Sequence, residues 1–94
     1  MSGKASELLE AAALFAQRRE RTEAQKRYSA TIEAAISQAG ETRQRVTVEA
    51  EDGAECYAGP RPGGGIAWGV NAAGTGINIL RGVRRPDGKD EAIS

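Results

Sequence analysis

Apolar residues in the first forty positions recur at helical spacing, and after residue 44 they alternate. Positions 4–39 contain no Gly and no Pro and are rich in Ala, Glu, Gln, Arg and Leu, all strong helix formers. Ser2 or Ser6 can cap the start, and Gly40 stands where a helix closes with a left-handed residue. A helix of about 35 residues would be roughly 50 Å long, which is unusual for a chain of 94 residues.

Written as heptads, the a positions are Leu8, Phe15, Thr22, Ser29 and Ile36, and the d positions are Ala11, Arg18, Gln25, Ile32 and Ala39. This seam is apolar at its ends and polar in its middle, unlike a continuous coiled coil. It reads instead as two patches. One is Leu8, Ala11, Ala12 and Phe15; the other is Tyr28, Ile32, Ala35, Ile36 and Ala39, led in by Ala24. The segment "QRRERTEAQKR" separates them, with Glu23 and Arg27 as an i, i+4 pair in the favourable order. One long helix, or two with a hinge near residues 17–24, satisfies this pattern. No turn residue marks a break.

"RVTVEAE" places Val46, Val48 and Ala50 on one face and Thr47, Glu49 and Glu51 on the other, as a half-buried strand does. Asp52-Gly53 reads as a two-residue hairpin turn, with "AECYA" returning as the second strand. "GPRPGGG" is a loop, "IAWGV" alternates Ile66, Trp68 and Val70, "NAAG" turns again, and "INIL" puts Ile77 and Ile79 on one face. From Arg84 the chain is polar and reads as a loose tail. The expected architecture is one α+β domain over residues 1–94. A helical part (4–39) covers a three- or four-stranded antiparallel meander (44–83), because a sheet so small does not stand alone. Residues 84–94 are left as the tail.

Composition narrows the function. Thirteen basic and 13 acidic residues give a net charge of zero, which argues against a chain held on DNA by bulk charge. Charge is nevertheless segregated: residues 1–45 are mildly basic, and residues 46–80 carry Arg61 against Glu49, Glu51, Asp52 and Glu55. The single cysteine, Cys56, excludes an internal disulfide and fits a reducing compartment. "LLEAAALFA" is interrupted by Glu10 and makes a poor signal peptide. The expected location is the cytoplasm, with no membrane contact.

Residues 59–79 hold more than half of the chain's 12 glycines, yet no cofactor loop is complete. Gly69 and Gly74 have the spacing of a phosphate loop, but Thr75 and Gly76 stand where Lys and Ser/Thr are required. The dinucleotide pattern that starts at Gly63 and Gly65 meets Trp68 at its third glycine, and the one from Gly74 and Gly76 meets Ile79. The chain has no histidine, hence neither the commonest general base nor the commonest metal ligand. Alternation makes Cys56 a small buried or half-buried structural residue, and the acidic cluster reads as a solvated strand face.

No enzyme and no cofactor are expected. The leading reading is a non-catalytic protein–protein interaction module that binds a larger protein or protein–nucleic acid assembly. An inhibitor carried by a virus or mobile element and aimed at a host defence complex, as anti-CRISPR proteins are, is one concrete form. The candidate contact residues are Leu8, Ala12 and Phe15 on the first helical patch, Arg18 and Arg19 beside it, Arg61 on the Gly/Pro loop, and Trp68, which is also a candidate core anchor. A nucleic-acid-binding protein that uses the basic helix segment with Arg81, Arg84 and Arg85, or a structural subunit that oligomerises through its helices, are the alternatives.

Overall fold

A computed structural model describes the backbone of residues 3–92 and the side chains of residues 22–91. The fold is α+β. One uninterrupted helix, α1 (Gly3–Thr42), lies on a five-stranded antiparallel sheet. The strands are β1 (Val46–Glu49), β2 (Glu55–Pro60), β3 (Ile66–Asn71), β4 (Asn78–Arg84) and β5 (Asp90–Ala92), paired in chain order as a meander. The chain between residues 17 and 24 is helical throughout, so α1 has no hinge. Its 40 residues correspond to roughly 60 Å of rise, close to the 57 Å long dimension of the molecule.

Tyr28, Ile32, Ala35, Ile36 and Ala39 form the stripe of α1 that faces the sheet, and all are buried. They meet Ala54, Cys56, Ala58, Trp68, Val70 and Leu80 in one core, with Ala24, Val46, Val48 and Ile66 at its margin. Ala35 and Ala39 have no exposed surface, so the helix backbone lies close to the strands. Cys56 is buried in this core, as its alternation implied, and burial pushes its thiol above the ordinary range.

Four expectations are corrected in detail. The helix passes through Gly40 and ends two residues later. The left-handed residue is Arg43 (φ 58°), whose N–H donates to the Ala39 carbonyl at 2.9 Å. The first hairpin loop has three residues. Ala50 N–H donates to Ala54 C=O, and Gly53 is left-handed while Asp52 is not, so a two-residue turn with both central φ positive is excluded. Ile77 and Ile79 are exposed. A bulge between Val70 and Asn71 shifts the register, so that Leu80 opposite Val70 faces the helix. The sheet has five strands, and β5 falls within the segment read as a loose tail.

That last strand follows a turn of the same kind as the first. "PDGK" repeats "EDGA": Asp87 and Asp52 each accept a hydrogen bond from the backbone N–H two residues on, at 2.9 Å, and Gly88 and Gly53 are both left-handed. Arg85 N–H then closes the loop on Lys89 C=O.

Candidate functional site

A meander delivers alternate connections to opposite ends of the sheet. The α1–β1, β2–β3 and β4–β5 connections share one end, and the β1–β2 and β3–β4 hairpins share the other. The first end gathers Arg43, Arg61, Arg84 and Arg85; the second gathers Glu49, Glu51, Asp52 and Glu55. Asp87 and Asp90 also lie at the first end and pair with Arg85 and Arg84, so the two ends become poles through the charges left over: Arg43 and Arg61 at one, the carboxylates at the other.

At the basic pole a cleft of about 490 Å³ opens between the end of α1 and the two loops. The four arginines line it together with Gly64, Gly65, Ile66 and Pro86, and no acidic side chain does. Gly65 shapes the wall. It is left-handed (φ 82°), and a β-carbon there would come within 2.7 Å of the Arg84 carbonyl oxygen. Gly64 N–H donates to Arg61 C=O, and Arg61 N–H to Gly65 C=O, each at 3.1 Å, so the loop holding Arg61 is closed on itself. β3 follows this loop, so no helix N-terminus faces it.

The four guanidinium groups differ in how far they are neutralised. Arg84 is fixed between the carboxylates of Glu33 on α1 and Asp90 on β5, with its Nε 2.5 Å from Asp90 Oδ1. These bonds hold its already high pKa higher still, Glu33 contributing most. Arg85 pairs with Asp87 at 3.0 Å. Arg43 and Arg61 are exposed and have no acidic partner among the described residues. Planar guanidinium groups around a concave surface bind carboxylate or phosphate oxygens in pairs.

A second polar contact ties the acidic pole to the helix. Tyr28 Oη donates to Asp52 Oδ2 at 2.5 Å. That bond holds the Asp52 carboxyl below its usual range, with the Ala54 N–H as the second cause. It also raises the Tyr28 phenol, with burial adding to the effect.

Among the candidate contact residues, Arg61 lies in the cleft. Trp68 is 3 % exposed and its ring is an anchor of the core. It also lines a groove between α1 and β5, together with Gln25, Lys26, Glu33 and Asp90. Its buried indole Nε1–H has no hydrogen-bond partner among the described residues. Leu8, Ala12, Phe15, Arg18 and Arg19 lie outside the described side chains. Sequence reasoning missed Arg43 and the link between Arg61 and the Arg84-Arg85 pair. The recurrence of Asp-Gly at 52–53 and 87–88 was the signal that would have folded the tail back.

Among the described residues no group of three or more His, Cys, Asp or Glu is placed to hold a metal ion, and no helix is long and apolar enough to cross a membrane. No protein-family model matches the chain, and neither a curated protein nor a solved structure is significantly similar to it.

Proposed function

We propose that the protein is a non-catalytic binding module that docks on a larger protein or protein–nucleic acid assembly. An acidic segment of that partner sits in the arginine-lined cleft. The observation that carries this reading is the presence of Arg43 and Arg61 without counter-charges on a concave wall that has no acidic side chain. A charge left unpaired in a cleft attracts an opposite charge more strongly than one on an open face, because the low-dielectric walls focus its field. Interfaces enriched in Arg follow the same logic.

The helix supplies a second contact. Its described core residues run from Ala24 to Ala39, roughly 23 Å of rise, out of a 40-residue helix. Leu8, Ala12 and Phe15 fall on the remaining length, where an apolar patch would seat in a partner's groove. A small binder of this form acts by blocking or bridging. Inhibition of a host defence complex by a virus or mobile element is the setting proposed for it. Expression in a CRISPR-immune host would then restore plating of a targeted phage.

The direct test titrates the chain with a labelled oligoglutamate peptide and, separately, with a single-stranded oligonucleotide of equal charge. Arg43→Glu with Arg61→Glu is expected to weaken peptide binding at least tenfold, whereas Arg18→Glu with Arg19→Glu leaves it unchanged. Tighter oligonucleotide binding that falls steeply with salt and depends on Arg18 and Arg19 would replace this reading with the nucleic-acid one.

A further inference from the structure

β1 is an edge strand: among the described residues it pairs with β2 on one side and with no strand on the other. Its hydrogen-bonding phase follows from the hairpin. Ala50 and Ala54 form a hydrogen-bonded pair, and Val48 opposite Cys56 and Val46 opposite Ala58 continue it at every second residue. Val46, Val48 and Ala50 therefore spend their peptide groups on β2. Arg45, Thr47 and Glu49 turn theirs outward. The ladder extends to Arg45, because a β-carbon built on Gly59 lies 3.4 Å from Arg45 Cβ.

The edge contains no proline and no inward-pointing charge, two of the devices that keep such edges apart. It is short and bounded by Arg45 and Glu49, so it selects a partner strand whose charges run in the opposite order. Val46 and Val48, which face the helix layer, remain only half-buried at this margin. Arg45 and Glu49 lie exposed on the opposite face, Arg45 with its guanidinium 5.0 Å from the Tyr57 ring centroid.

We propose that β1 pairs antiparallel with β1 of a second copy, with Thr47 opposite Thr47 on the two-fold axis. The segment from Arg43 to Glu51 is complementary to its own reverse: Arg, Gln, Arg, Val, Thr, Val, Glu, Ala, Glu. In this register Arg45 faces Glu49 of the other copy on the outer face, twice over, and the flanking Arg43 faces Glu51. Val46 faces Val48 on the helix side, which extends the core across the axis. The residues brought into hydrogen-bonded positions are Arg45, Thr47 and Glu49, the three whose peptide groups are unspent. Registers centred on Val46 or on Val48 also satisfy the backbone but keep only one kind of opposite-charge pairing, Arg43 with Glu49 or Arg45 with Glu51; those centred on Arg45 or on Glu49 place like charges opposite each other, which is unfavourable. The result is one continuous sheet with both helices on the same side, and the two-fold axis runs perpendicular to it.

Light scattering of the intact chain over a concentration series tests this. Wild type is expected to approach twice the chain mass. Thr47→Pro removes an outward N–H without touching the β2 ladder and is expected to give a monomer with an unchanged far-UV spectrum. Arg45→Glu and Glu49→Arg singly are each expected to raise the dimer dissociation constant at least tenfold, and the double swap to restore it. A wild-type monomer throughout, a dimer indifferent to the single charge reversals, or a double swap that fails to recover would each overturn the proposal. A dimer that persists in Thr47→Pro but is lost with Leu8→Asp and Phe15→Asp would place the interface on α1 instead.

Discussion

Two glycines on adjacent strands carry aromatic rings on opposite faces of the sheet. The Tyr57 ring crosses Gly69 on the outer face, with its hydroxyl oxygen accepting from Asn78 Nδ2 at 2.9 Å. The Trp68 ring crosses Gly82 on the helix face, where a β-carbon would come within 2.6 Å of Trp68 Cζ2 and 3.0 Å of the Glu91 carbonyl. The two positions look alike in sequence and differ in what can yield. A β-carbon on Gly69 would likewise lie 3.0 Å from the Leu80 carbonyl, so the difference rests on the rings: Tyr57 is half-exposed and can swing away, whereas Trp68 is enclosed by the core. Gly82→Ala is therefore expected to cost about 2 kcal/mol, as overpacking does, and Gly69→Ala clearly less. Urea unfolding monitored by tryptophan fluorescence measures both, and equal costs would refute the distinction. Arg43 is the complementary case. It holds a left-handed backbone that disfavours any side chain, so Arg43→Gly is expected to stabilise the chain by about 0.5–1 kcal/mol. The same change removes one of the two unpaired charges of the cleft. Stability should rise while oligoglutamate binding falls, a combination that simple misfolding cannot produce.

Among elements, the β1–β2 hairpin is tied to α1 by the Tyr28–Asp52 hydrogen bond, and this contact gives stability a dependence on pH. Asp52 is depressed in the fold, so its contribution is present above the ordinary carboxylate range and is lost as pH falls through the folded value. Tyr28 is raised, so its contribution is present below the ordinary phenol range and is lost as pH rises through its folded value. Asp52→Asn is expected to flatten the acid limb of a Tm–pH profile between about pH 2 and pH 6. Tyr28→Phe should flatten that limb too and also remove an alkaline one. An acid limb as steep in both variants as in wild type would assign it to other carboxylates. The meander itself was legible from residue 46 onward because each strand alternates and each turn carries Gly. β5 was not, because three residues (Asp90, Glu91, Ala92) show no periodicity, and their pairing with β4 depends on the turn before them.

For the whole molecule, Arg84 joins three elements through Glu33 on α1 and Asp90 on β5. Its side chain is 22 % exposed, between the surface pairs that contribute under about 1 kcal/mol and the buried ones whose rupture costs about 3 or more. Arg84→Met is expected to lower stability by about 1–2 kcal/mol, measured by chemical denaturation, and to increase hydrogen exchange in β5 above all. A uniform increase across the sheet would mean that β5 is not held by this clamp. The sequence by itself determined the helix, its sheet-facing stripe from Tyr28 to Ala39, the antiparallel hairpins and the buried place of Cys56, because these follow from local propensity and from periods of 3.6 and 2. Only the tertiary structure decided that α1 is unbroken, that Leu80 and not Ile79 turns inward, that Trp68 is enclosed, and that Arg43, Arg61, Arg84 and Arg85 meet. Those outcomes depend on a bulge, on strand parity and on which loops share an end of the sheet, all of which are relations between residues far apart in the chain.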